Sequence, residues 1–177
     1  MGEQSMATHP MADLRKKLQE KNLLDKPTAK SWVKVISLLG IVGILYSAHI
    51  YLPLKFGLLL IPITALFSTT LAMTGHEGVH SSACQSKAGN TSLAAIVFPL
   101  FAGLSMEYWR EKHNVKHHAH PNVINKDPDI HSWPFTFSEE EYKTSGPVRR
   151  FFQRYLQGWT FWPISLLVGH LMRFDGL

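Results

Sequence analysis

Two apolar runs constrain this chain more than anything else in it. Val33 to Tyr51 carries a single charge, Lys34 at its edge, and Phe56 to Thr74 carries none. A helix of about 20 apolar residues reaches about 30 Å, the hydrocarbon thickness of a bilayer. Between the runs stands Leu52-Pro53-Leu54-Lys55, enough for a short turn. The pattern predicts an all-α, integral membrane helical bundle that begins with a spanning hairpin. Bulk composition hides this. The 177 residues are 45% apolar and the mean hydropathy is close to zero, because the apolar residues are bunched. The length suits a single domain.

The residues ahead of the first run set its orientation. About 30 mostly polar residues come first, which excludes a secretory signal with its short basic start and short apolar core. The net charge is +5 and the pI is near 9.4. A basic chain raises the possibility of nucleic-acid binding, but the placement of charge argues against it. Arg15, Lys16, Lys17, Lys21, Lys26, Lys30 and Lys34 all precede the first span. That is a positive-inside pattern, and it places the N-terminus, residues 1–30, in the cytoplasm. A helix is expected over Met11 to Asn22, with Asp13 as a cap and Leu14, Leu18 and Leu23 near one face. It would lie on the membrane surface or in solvent, where its basic residues attract anionic headgroups. Cys84 is the only cysteine, so no internal disulfide can form, and a lone thiol reads as packing.

Further along, Ser92 to Met106 is apolar but short for a span, and it contains Pro99 and Gly103. Runs of this length lie in the interface or re-enter. Residues 92–106 are therefore expected not to cross. Ser138 with Glu141 fits a capping box, and Phe137 with Tyr142 a hydrophobic staple, so a helix should start at Ser138 and stop before Gly146-Pro147. Arg149, Arg150 and Arg154 then precede an apolar stretch that opens with Trp159, Phe161 and Trp162. Cationic flank and aromatic belt predict a third span over about residues 158–174.

Ten histidines occur, and six of them are His76, His80, His113, His117, His118 and His120. His76 and His80 stand at i and i+4, so one helix face presents both rings. His113 and His117 repeat the spacing, and His118 follows. Imidazole is the commonest metal ligand, and several neutral imidazoles suit iron, copper, nickel or zinc. His9, His49, His131 and His170 read as incidental or structural, with His49 placed inside a span where it would pair with a backbone group. If residues 92–106 stay on one side, both clusters face the cytoplasm and can share a site, forming a histidine-rich helical cap.

His76-Glu77-Gly78-Val79-His80 also matches H-E-x-x-H, in which two histidines bind zinc and the glutamate is the general base. An intramembrane zinc metalloprotease is thus the alternative. Two features oppose it. Gly78 costs a helix about 1 kcal/mol relative to alanine, and a protease needs one further ligand rather than a second histidine cluster.

Gly75-His76-Glu77-Gly78-Val79-His80 and His113-Asn114-Val115-Lys116-His117-His118 resemble the first two histidine boxes of the membrane fatty-acid desaturase family, of acyl-lipid or acyl-CoA type. Pro121-Asn122-Val123 and Lys126-Asp127-Pro128-Asp129-Ile130 are similar to the continuation in that family. The resemblance runs from about residue 31 to the C-terminus. It implies an all-helical membrane protein with two irons at the cytoplasmic face and a fatty acyl substrate. Electrons would come from a cytochrome- or ferredoxin-type donor. It implies that His76, His80, His113, His117 and His118 are iron ligands. The family's third box, H/Q-x(2–3)-H-H, has no counterpart here, so residues 31–177 read as an N-terminal portion of such a domain. A lipid hydroxylase of the same superfamily would share these features.

Desaturation removes hydrogen from an unactivated methylene, which no side-chain acid or base can do. A site at the membrane edge lets an apolar tail enter from lipid while the head stays in water. Trp109 is positioned either to line an acyl channel or to anchor the interface. Glu77, Glu107 and Asp127 or Asp129 are candidates to orient ligand imidazoles by accepting their second N–H. The alternative for each is pairing with Arg110, Lys112 or Lys116, or exposure to solvent.

Overall fold

The computed structural model describes residues 10–130 and 133–176. His9 and His131 lie outside these. All regular structure among the described residues is helical, and the chain divides into two compact units, 1–93 and 94–177.

The first unit begins with α1, Pro10–Glu20. Asp13 sits inside the first turn of this helix rather than at its cap. The helix starts earlier than the sequence suggests and places Asp13 where its charge complements the N-terminal dipole. Its end is a Schellman turn: Asn22 is left-handed (φ 54°), Leu23 N–H reaches Leu18 O, and Asn22 N–H reaches Gln19 O.

α2 (Thr28–Tyr51) and α3 (Leu54–Val79) form the expected hairpin, each extending beyond its apolar run. Their contact follows from side-chain size. α2 buries Ser31, Val35, Leu38 and Val42, alternating steps of four and three. α3 buries Gly57, Thr64, Leu71, Thr74, Gly75, Gly78 and Val79, of which five are glycine or threonine. Small residues let the backbones approach, which is how helices associate in lipid. Outward positions carry the bulk: Ile44, Ile50, Leu54 and Leu59 are each more than 70% exposed. Large apolar side chains facing outward are the pattern a bilayer solvent permits. These two helices are long and apolar enough to cross a membrane. His49 pairs not with backbone but with Thr64, at 2.9 Å, and Thr64 donates in turn to Leu60 O.

Beyond α3, Asn90 on α4 (Lys87–Ala95) organises the loop. Its buried amide accepts from Ala83 N–H and Cys84 N–H and donates to Cys84 O and Ser86 O. Ser31 donates to Ala83 O, fixing the start of α2 to this loop. Cys84 is buried and free, as packing requires.

The second unit opens with a π-wound turn, Ile96–Ala102, ending on left-handed Gly103. The chain then bends by 109° into α5 (Met106–Trp109) and a second π-wound stretch, Arg110–His117. A bend of this kind at Gly103 suits a broken span or a re-entrant turn. α6 (Glu139–Thr144) starts where expected, with Ser138 accepting from Glu141 N–H. Only half of the capping box forms. The Glu141 carboxylate turns away to accept from Thr136 and Arg149, and Phe137 packs its ring on Phe161. α7 (Pro147–Tyr155) and α8 (Gln157–Asp175) complete the unit around buried Phe135. α8 covers the stretch predicted as a third span. It is helical throughout, but with Thr160, Ser165, His170, Arg173 and Asp175 it is less apolar than α2 and α3 and does not reach their standard for crossing.

Candidate metal centre

The first histidine pair stands at the end of α3. His76 occupies the last full turn and His80 the cap, with ring centroids 4.5 Å apart. The helix stops in a Schellman turn: Ser82 N–H bonds Glu77 O, Ser81 N–H bonds Gly78 O, and Ser81 is left-handed (φ 56°). The pair therefore sits at a helix C-terminus, whose dipole favours a cation. Gly78 falls in this final turn and is buried, so its flexibility weakens the helix little. Glu77 faces Lys34 at 3.1 Å and not the imidazoles. That is a poor arrangement for the general base of a zinc protease. It also removes Glu77 from the candidates that orient a ligand.

The second cluster depends on how the backbone is wound. In an α-helix His113 and His117 share a face and His118 does not. Here His118 N–H bonds His113 O, an i to i+5 step. π-winding of this kind is uncommon and concentrates at functional sites. It brings all three rings together. His113 and His117 stack with centroids 5.4 Å apart, and His113 and His118 meet edge-on at 4.6 Å. Nε2 of His113 and Nε2 of His118 are 3.2 Å apart. One ring donates to the other at that distance. Two ligands each about 2.1 Å from a common ion would be separated similarly.

Asp127 completes the cluster. Its carboxylate is fully buried and accepts from Asn122 N–H (2.7 Å), Asp129 N–H (2.9 Å) and His117 Nδ1 (3.0 Å). Burial works to raise its pKa. The two backbone N–H groups and then the His117 ring override this and hold it at about 2. Left-handed Asn122 and Asn125 fold the intervening loop so that it can reach back. Asp129 is half-exposed and bonds Lys112 at 3.3 Å. It also lies 3.4 Å from His117 Nδ1. Ligand atoms of His113, His117 and Asp129 lie within 4.8 Å of one another, a grouping that the sequence reading did not propose. Glu107 pairs with Arg110 and takes no part, and the His120 ring is exposed. The donor set of imidazoles and carboxylates, without cysteine, suits iron.

One wall of this cluster is apolar. Trp109 stacks on His113 at 4.6 Å. It also lines a cavity of about 530 Å³ with Phe135, Ile164, Val168, Leu171 and Met172. Lys112 and Asp129 stand at the same cavity.

Comparison with known proteins adds the family. The profile of the fatty acid desaturase family matches residues 52–175, which include both histidine clusters. This chain belongs to the fatty acid desaturase family. A Delta(8)-fatty-acid desaturase 2 from Arabidopsis thaliana is 29% identical over 115 residues, covering 58% of this chain and 25% of the relative. An acyl-lipid (8-3)-desaturase from Rebecca salina is 30% identical over 95 residues, covering 52% of this chain and 22% of the relative. The matched stretch is thus about a quarter of these relatives' length. No solved structure matches. Within this desaturase-family chain, the α3 terminus presents His76 and His80, and the π-wound stretch presents His113 and His117 with His118 at its cap.

Proposed function

We propose that this chain carries the first two histidine boxes of an oxygen-dependent fatty-acyl desaturase. His76, His80, His113, His117 and His118 are its contribution to a site for two irons. The observation that supports this best is the shared wall. Trp109 touches His113 on one side and an apolar cavity on the other, so an acyl chain in that cavity would run past the imidazoles. When bound, the iron supplies the oxidising power that an unactivated methylene requires. The protein's own residues do the rest. Asp127 fixes one imidazole, Trp109 holds another flat, and the aliphatic side chains of α8 exclude water and align the tail. Lys112 and Asp129 keep the polar end in contact with solvent.

In this reading the hairpin and α8 cross the bilayer, residues 92–106 re-enter without crossing, and the N-terminus and both boxes face the cytoplasm. A cytochrome- or ferredoxin-type protein delivers the electrons. Dioxygen, two electrons, two protons and two substrate hydrogens leave as two waters and a double bond. The test uses the protein in lipid nanodiscs with iron, oxygen, reductant and such a donor. Where the third histidine box is also supplied, mass spectrometry should find acyl chains two hydrogens lighter, and His113→Gln should remove them; residues 1–177 alone should give no unsaturated product. Chains one oxygen heavier would assign hydroxylation instead. Absence of both products, with no iron retained, contradicts the proposal.

A further inference from the structure

One ring nitrogen of His117 is bonded to the buried Asp127 carboxylate. Imidazole has two nitrogens, and in the neutral ring one carries the proton while the other offers a lone pair. A ligand histidine must be held in the correct tautomer. Metalloproteins commonly achieve this with a carboxylate on the far nitrogen.

We propose that Asp127 is the positioning residue for His117, fixing the Nδ1–H tautomer so that Nε2 presents its lone pair before any metal arrives. The inference rests on His117 being a ligand, as proposed above. The geometry is specific. Both Asp127 oxygens lie 3.0 Å from His117 Nδ1. A carboxylate accepts only, so His117 Nδ1 must donate. Each Asp127 oxygen is itself held, Oδ2 by Asn122 N–H and Oδ1 by Asp129 N–H. Asp127 N–H in turn bonds Val123 O. The loop from Asn122 to Asp129 thus locks the carboxylate in one orientation, and the carboxylate locks the ring. Asp129 differs. Its carboxylate is exposed to solvent, shared with Lys112, and farther from the ring.

Asp127→Asn is the discriminating change, because it keeps the shape and breaks the pattern. An amide has one acceptor oxygen, so its NH2 would face either Asn122 N–H or Asp129 N–H. The experiment has two readouts on the full chain in detergent. The first is ¹⁵N NMR of His117 in the metal-stripped wild-type protein at pH 8. The expected result is protonated Nδ1 and unprotonated Nε2. An Nε2–H tautomer, or a rapid mixture of both, overturns the proposal whether or not any variant folds. The second is anaerobic Fe(II) titration. Asp127→Asn should weaken Fe(II) binding about 10- to 100-fold, and Asp129→Asn should weaken it less. Equal affinity of wild type and Asp127→Asn, with an unchanged His117 spectrum, also overturns the proposal. If the wild type fails to bind Fe(II) at all, the iron reading falls, while the tautomer measurement still decides the role of Asp127.

Discussion

The two histidine clusters of this chain are positioned by different parts of the fold. The first is placed by backbone. His76 and His80 ride the last turn and cap of a long α-helix, and that end is shaped by a Schellman turn and a buried asparagine. The second is placed by side chains. A short π-wound stretch gathers His113, His117 and His118, and a buried aspartate ten residues downstream of His117 holds that ring. A helix as long as α3 is supported along its length by α2, so its end needs only to be terminated at the right residue. A four-turn-or-shorter polar segment has no such support, because isolated short helices are marginal in water. It must be braced from its own loop.

That contrast can be broken at its supports, beginning with the largest expected effect. Asn90→Ala would leave Ala83 N–H, Cys84 N–H and Cys84 O without their buried partner. Each unmet buried group costs about 1–3 kcal/mol, so we expect a loss of at least 2 kcal/mol of stability in the first unit. Amide exchange resolved by residue should show protection falling around residues 76–90 while residues 113–129 hold theirs.

Acid should do the opposite. Asp127 has a folded-state pKa of about 2, below its ordinary 3.8. A lowered pKa means that the ionised form favours the folded state. Its contribution is complete above pH 4 and disappears as pH falls through about 2. Exchange at Asn122 and Asp129 N–H, the groups bonded to Asp127, should therefore accelerate between pH 4 and pH 2. Exchange at Ser81 and Ser82 N–H should follow no such step.

The smallest effect is Ser81→Gly. A left-handed non-glycine residue carries about 1 kcal/mol of strain, and glycine removes it. Thermal stability should rise modestly, and Fe(II) affinity at the second box should not change.

These differences also explain what could be read from the sequence. Hydrophobic runs set the α2–α3 hairpin because lipid imposes its pattern on every outward position. The i, i+4 spacing of His76 and His80 described their placement directly, since α3 runs as a regular helix to Val79. His118 was legible only as a neighbour. Its place beside His113 depends on π-winding, which no residue pattern here announces. Asp127 was one of four carboxylates that could orient a ring. Choosing it needs the fold of the Asn122–Asp129 loop, where Asn122 and Asn125 are left-handed and turn the chain back. The capping box was half right for a similar reason. Glu141 had a better partner in Arg149, an ion pair at 2.9 Å that local sequence rules do not foresee. α8 is a helix over Gln157–Asp175, the stretch where the aromatic and cationic flank placed one.

The most direct test of the account is X-ray absorption at the iron edge on the protein in nanodiscs, loaded anaerobically with Fe(II). The expected result is a nitrogen-rich shell with imidazole scattering, and its loss in the His113→Gln, His117→Gln double variant. Iron retained at wild-type level in that variant, or no iron bound by the wild type, would contradict it.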